Sequence, residues 1–220
     1  MISPSSVQLF SRLQHDEIKA IEAAAIQREF EASETIVRAN DSAKSLFLIQ
    51  TGCVDYYVTT EAGEYVLLRR LAAGDVFGVS CFLSKPIGYL GTAKAAQHVQ
   101  ALEWTHLVAR RLANSYPQLV ENSLRIVLRY LALYAKRHIG LVSNTAQERL
   151  ACALSSLGSR IGHAVPSGVE VGVKNEDLAS LADVSSFTTS RILKAWARDG
   201  MVEKSRGKII VLSPEKLLAV

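Results

Sequence analysis

The sequence predicts an α+β chain with an N-terminal antiparallel β-roll of jelly-roll type, a long helix, and a C-terminal winged helix-turn-helix. Three observations predict it. Short β-type runs separated by turn residues recur between Thr35 and Trp104. Apolar residues then follow at alternating spacings of four and three from Val120 to Leu141. Finally, two short helical runs over residues 177–196 are separated by a turn and followed by a hairpin pattern.

The elements follow in order. Asp16-Glu17-Ile18 through Ile26 predicts a helix with Ile18, Ile21 and Ala25 on one face. The period then shortens in Thr35–Val37, Ser45–Ile49, Cys53–Val58 and Tyr65–Leu68, with Glu61-Ala62-Gly63-Glu64 as a hairpin tip. Further strands are expected over Leu90–Ala96 and Val99–Trp104. Ser115 is a candidate cap for the long helix, and Pro117 is tolerated in a first turn. Val120, Leu124, Val127, Leu131, Tyr134, His138 and Leu141 form a seam of roughly 30 Å. Such a stripe packs on its own domain or on a second copy, and the regular heptad beside a DNA reader favours a homodimer. Ile139–Asn144 is expected to break the helix. Thr145 with Glu148 fits a capping box that opens another helix to about Arg160. Gly162–Val173 reads as a hairpin, and Met201–Leu212 as a second one with Arg206-Gly207 at its tip, a wing. The expected domains are 1–115, a β-roll sensor; 116–142, dimerisation helix and hinge; and 143–220, the winged helix-turn-helix.

Charge is distributed unevenly. Residues 1–106 hold 9 Lys/Arg against 12 Asp/Glu, net −3, and residues 107–220 hold 16 against 9, net +7. A basic surplus in the helix-turn-helix half favours phosphate contact. With 49% hydrophobic residues spread along 220, a core is available. The longest apolar run is far short of a bilayer span and the first twenty residues do not resemble a secretory signal, so the expectation is a cytoplasmic protein with no membrane partner. Cys53, Cys81 and Cys152 are odd in number and widely separated, so neither a disulfide framework nor a Cys-only metal site is expected.

Within residues 177–196, Leu178, Leu181, Ala182, Val184, Ile192, Leu193 and Trp196 are expected inward. Phe187, Ser190, Arg191 and Lys194 then share the outer face. A face of this size, ending in cations, fits a major groove of double-stranded DNA. Ser186, Phe187, Ser190 and Arg191 are the candidate base readers, with Arg191 able to bridge guanine O6 and N7. Ser185, Thr188, Lys194, Arg206 and Lys208 are candidate phosphate contacts, and Ser185 and Ser186 candidate helix caps. Asp183 occupies the turn, where it tolerates a left-handed conformation.

The whole order resembles the CRP/FNR superfamily of bacterial transcription regulators. Gly74-Asp75-Val76-Phe77-Gly78 is similar to the family's Gly-Asp-x-Phe-Gly segment, Ala109-Arg110-Arg111-Leu112 lies where similar basic residues are familiar, and Thr188-x-Ser190-Arg191-Ile192-Leu193-Lys194 looks like its recognition helix. The β-roll would then be of the cyclic-nucleotide-binding type. Where that resemblance puts a Glu, three residues before Ser190, this chain has Phe187, which either touches a thymine methyl or packs inward.

The resemblance also implies an effector pocket, formed by Phe77, Gly78, Val79, Tyr89, Leu90, Thr92 and Tyr134. Cyclic-AMP-binding members have a Glu after the Phe-Gly and an Arg-Ser pair for the phosphate. Here those positions hold Val79 and fall on or near Tyr89-Leu90, so cyclic AMP is not expected. Oxygen-sensing members carry an N-terminal cysteine cluster, absent here before Cys53, so no iron-sulfur cluster is expected. The segment from Phe82 to Ala95 resembles the Dnr/NnrR-type nitrogen-oxide regulators, some of which use haem. For haem, His98, His106 and His138 are the candidate ligands, although no spacing motif separates them from structural histidines.

The expected function is sequence-specific DNA binding by a homodimer on an inverted repeat, sensing a signal other than cyclic AMP, with RNA polymerase as a partner if it activates. The competing reading is a β-roll ligand-binding enzyme or adaptor whose C-terminal domain no longer touches DNA. No Ser/His/Asp, Walker, zinc or dinucleotide constellation supports catalysis.

Overall fold

The run Ser45-Leu-Phe-Leu-Ile49 is apolar without alternation because the strand it forms is covered on both faces. In the computed structural model, which describes residues 7–205 and 207–218, Leu46 and Leu48 face a helical layer while Phe47 and Ile49 face a second sheet. The chain divides into two compact units, Met1–Leu133 and Tyr134–Val220.

The first unit is a roll of two four-stranded antiparallel sheets. One has β1 (Ile26–Phe30), β8 (Val99–Thr105), β3 (Ser45–Thr51) and β6 (Val76–Phe77) in that order. The other has β2 (Thr35–Val37), β7 (Thr92–Ala95), β4 (Cys53–Thr59) and β5 (Tyr65–Ala72). Between them lie Phe30, Phe47, Ile49, Val54, Leu71, Phe77, Ala93 and Ala95. The other face of the first sheet packs on α1 (His15–Ala23), α2 (His106–Ser115) and the first turns of α3 (Gln118–Ser143). Trp104 is fully buried there and donates its indole N–H to the Ile21 carbonyl at 2.8 Å.

Three boundaries differ from the sequence reading. Ile26 opens strand β1, paired with Glu103, rather than closing α1; the strand's Gln27, Arg28 and Glu29 are exposed, which hides its period. Ser115 ends a separate helix, α2, and does not cap α3. Nor does α3 break at Ile139: it runs to Ser143 with Gly140 buried inside it, and closes where Asn144 N–H donates to the Gly140 carbonyl.

The faces of α3 divide the work. Leu119, Asn122, Ser123 and Ile126 are buried against the first unit, and Asn122 donates to the carbonyls of Leu9 and Ser11 at 2.8 and 2.7 Å. The predicted seam lies beside this face, with Val120, Leu124, Val127 and Leu131 exposed, Leu131 by 63%. Tyr134 is half-buried and His138 exposed.

The second unit holds the last turns of α3, then α4 (Ala146–Ile161), β9 (His163–Val165), β10 (Gly168–Val171), α5 (Asn175–Ala182), α6 (Ser186–Arg198), β11 (Val202–Ser205), β12 (Lys208–Val211) and α7 (Pro214–Leu218). Its strands form one antiparallel sheet ordered β11-β12-β10-β9. The expected capping box is present: Thr145 Oγ1 accepts from Glu148 N–H at 3.2 Å, and Glu148 accepts from Thr145 N–H at 2.6 Å. Leu150, Leu154, Leu178 and Leu193 are fully buried beside Trp196, each worth about 1.5–3 kcal/mol relative to exposure. No described helix is long and apolar enough to cross a membrane.

Candidate nucleic-acid interface

The helix-turn-helix is α5, a three-residue turn and α6. Helix α5 ends on Asp183 in the left-handed region, at φ 52° and ψ 49°. Val184 N–H then reaches back to the Ala179 carbonyl at 3.0 Å, the backbone pattern by which a left-handed residue closes a helix. Ser185 caps α6, its Oγ accepting from Thr188 N–H at 3.1 Å and donating to Thr188 Oγ1 at 3.0 Å. Ser186 is the first helical residue and is exposed.

Burial assigns the faces of both helices. Leu178, Ala182, Ile192, Leu193 and Trp196 are buried, and Leu181 and Val184 pack against them. On the opposite side Phe187 is 78% exposed, so it does not pack inward. Arg191 and Lys194 are exposed beside it, and neither makes an ion pair among the described residues. Ser190 is half-buried because Asn175, at the start of α5, donates from Nδ2 to its Oγ at 3.0 Å. The sequence does not single out Asn175, since it lies fifteen positions before Ser190, across a helix and a turn.

Two cations that the sequence does not mark fix the turn. Arg137, near the end of α3, donates to both carboxylate oxygens of Asp183 and to the Ser180 carbonyl. Arg149 on α4 donates to the carbonyls of Asn144, Ala182 and Asp183 at 2.8, 3.1 and 3.2 Å. Backbone carbonyls at the end of α5 are thereby satisfied by guanidinium groups, the favourable sign for a helix C-terminus.

The wing carries an ion pair that the sequence does not mark. Lys208 Nζ lies 2.8 Å from Glu170 Oε1 on β10, so its charge is already partnered within the sheet. Arg206 lies outside the described residues, and Gly207 beside it has φ +76°.

Of the residues expected to line an effector pocket, Gly78 and Tyr89 meet at the Ser45 backbone. Phe77 is interior, stacked on Phe47 with ring centroids 4.9 Å apart. Gly78 sits at φ +81°, and a Cβ there would come 2.3 Å from the Ser45 carbonyl oxygen, so only glycine fits. Tyr89 is buried, its hydroxyl donating to the Ser45 carbonyl at 3.0 Å and accepting from Ser45 N–H at 3.1 Å. Val79 instead packs with the helix-side cluster. Leu90 is 71% exposed. Thr92 uses its hydroxyl to accept from Ala39 N–H at 3.0 Å. Tyr134 belongs to the second unit. A feature the sequence did not mark is Arg69, which pairs with Asp75 at 3.3 Å and lies over the Tyr130 ring at 4.0 Å.

Known proteins share both units. The cyclic nucleotide-binding domain family matches residues 27–116 and the Crp-like helix-turn-helix domain family matches residues 148–220. Electron transport regulator A of Shewanella oneidensis is 25% identical over 188 residues, covering 84% of this chain and 74% of that protein. The fumarate nitrate reduction regulatory protein of Klebsiella oxytoca is also 25% identical, over 202 residues covering 88% and 77%. The global regulator CLP of Xanthomonas campestris, described as c-di-GMP responsive, has the same fold, with a TM-score of 0.77 at 16% identity over 90% of this chain and 99% of that one. These similar proteins are transcription regulators and not enzymes. With a β-roll, a continuous long helix and a capped helix-turn-helix presenting Arg191, the chain belongs to the CRP/FNR family of DNA-binding transcription regulators.

Proposed function

We propose that this regulator works as a cytoplasmic homodimer that reads an inverted-repeat site, its two α6 helices entering successive major grooves roughly 34 Å apart. The observation that carries this is the outer face of α6, where Arg191 and Lys194 are exposed and make no ion pair among the described residues, beside a turn held by Arg137 and Arg149. The exposed stripe Val120, Leu124, Val127 and Leu131 supports the dimer, since a contiguous apolar strip on a folded chain marks a surface to be covered. Selection of binding sites from random DNA tests the reading: enrichment of a dyad-symmetric motif is expected, and a motif without dyad symmetry would remove the dimer. If the protein activates, RNA polymerase is its further partner.

The signal is proposed to be something other than cyclic AMP. The residues do not fit that nucleotide, because Val79 turns to the helix-side cluster and Tyr89 closes its hydroxyl on the Ser45 backbone. An iron-sulfur centre is likewise disfavoured by Cys53, Cys81 and Cys152, which are half-buried, buried and exposed at separate places. Haem through His98 or His106 fits poorly: His98 is exposed near Glu29, and His106 uses Nδ1 against the Cys81 carbonyl at 2.9 Å. Titration with haemin is expected to give no Soret shift, and with cyclic AMP no rise in melting temperature.

A further inference from the structure

A serine hydroxyl carries one hydrogen and two lone pairs, so what it presents to DNA depends on what its protein neighbours have already taken. Ser190 stands on the outer face of α6 directly before Arg191. Its Oγ accepts from Asn175 Nδ2 at 3.0 Å, and among the described residues no acceptor takes its proton. One lone pair is thus used inside the protein, which leaves the hydrogen and a single lone pair for a partner outside.

We propose that Asn175 is a specificity-determining positioning residue that orients the Ser190 hydroxyl to favour donation toward the major groove. The inference rests on the DNA-binding reading above. A donor discriminates in that groove: guanine O6 and N7, adenine N7 and thymine O4 accept, whereas cytosine N4 offers only another donor. Asn175 never touches the base. It acts by taking one of the two Ser190 lone pairs, which halves the sites open to an amino group and favours the orientation in which the hydrogen faces the base. The chemistry recognised is therefore an acceptor edge at one base pair in each half-site, next to the pair read by Arg191.

Site selection with the full-length protein tests this. Asn175→Asp offers only acceptors, so it takes the Ser190 proton and turns a lone pair outward. Asp in the first turn of a helix is favourable, so the fold is retained. At the one base pair the preference should move toward the amino-bearing bases, cytosine or adenine. Asn175→Ala adds no charge, and should relax the preference at that pair by about threefold to tenfold, the loss of one oriented hydrogen bond. In a Ser190→Ala background neither substitution should alter that pair further. Wild-type enrichment of a motif that Asn175→Ala and Asn175→Asp both leave intact would overturn the proposal alone. So would a change of equal size with and without the Ser190 hydroxyl. If the wild type enriches no motif, the DNA-binding reading fails and takes this one with it.

Discussion

Arg137 and Asp183 are forty-six residues apart in sequence and form a forked ion pair, with Nε and Nη2 of the guanidinium 2.5 and 2.6 Å from the two carboxylate oxygens. Asp183 is the left-handed residue of the helix-turn-helix turn, and a glycine would adopt that conformation at less cost. Keeping an aspartate there gives the turn a carboxylate that ties it to α3. Both side chains are mostly shielded, with 23% and 30% exposed. Arg137→Ala should therefore cost about 1–2 kcal/mol in denaturant unfolding. Arg137→Lys should restore only part, because an ammonium cannot fork across two oxygens. In a double-mutant cycle, Asp183→Gly should be less harmful with Arg137→Ala than with Arg137 present, since the glycine then only relieves the backbone. Strictly additive effects would show that the pair contributes nothing.

Phe187 is exposed, so its contribution belongs to binding and not to the fold. Phe187→Ala should leave the melting temperature of the free protein within about 1 °C, as expected for a surface change. Phe187→Glu should redirect preference at one base pair per half-site toward cytosine, whose amino group a carboxylate accepts. An unchanged motif in site selection would mean that Phe187 does not reach a base.

The parts of this fold legible in sequence are those written by local rules. The Thr145–Glu148 capping box, the Ser185 cap and the left-handed Asp183 each follow from a few neighbouring residues. The inward set of α5 and α6 follows from helical spacing. What sequence does not write is long-range pairing. Arg137 and Asp183, Lys208 and Glu170, and Asn175 and Ser190 meet only because the elements between them fold back. Strand β1 is hidden in the sequence by its charged exposed residues, and a resemblance of segments does not say that Leu90 is exposed while Val79 packs on the helix-side cluster.

Arg191 and Lys194 should separate in kind of effect. Arg191→Ala should cost about 1–3 kcal/mol on the preferred site and relax one position of the motif. Lys194→Ala should weaken binding to all sequences alike and lower the magnitude of the salt slope by about one. Fluorescence anisotropy over a range of salt distinguishes the two, and a sequence-dependent loss for Lys194 would reassign it to base contact.

The seam predicts a change of mass rather than of fold. Leu124 and Leu131 are 57% and 63% exposed in the single chain, so glutamate at both removes nothing from its core. Two carboxylates per chain facing their copies would oppose association. Sedimentation should show a dimer for the wild type and a monomer for the double variant, with unchanged far-ultraviolet dichroism and weakened binding to the inverted repeat. A double variant that stays dimeric would place the interface elsewhere.

Tyr89 and Cys81 make the β-roll sensitive to alkali. Burial pushes the Tyr89 hydroxyl from its ordinary 10.0 up to about 12, against the lowering effect of its bond to the Ser45 backbone. Burial, with Glu103 nearby, pushes the Cys81 thiol from 9.0 to about 11. Both groups are raised, so folding favours their neutral forms. Their stabilisation is fully present below pH 9.0 for the thiol and 10.0 for the phenol, and is lost as pH rises through about 11 and about 12. The urea midpoint should therefore hold at neutral pH and fall across that alkaline window. Absorbance at 295 nm should show a tyrosine that ionises only as the roll opens. Tyr89→Phe leaves the Ser45 N–H and carbonyl without their side-chain partner, so it should lower stability at pH 7 by about 1 kcal/mol. The same variant should flatten the alkaline fall, because the group that titrates is gone. A fall of unchanged steepness in Tyr89→Phe would assign the alkaline transition to other residues.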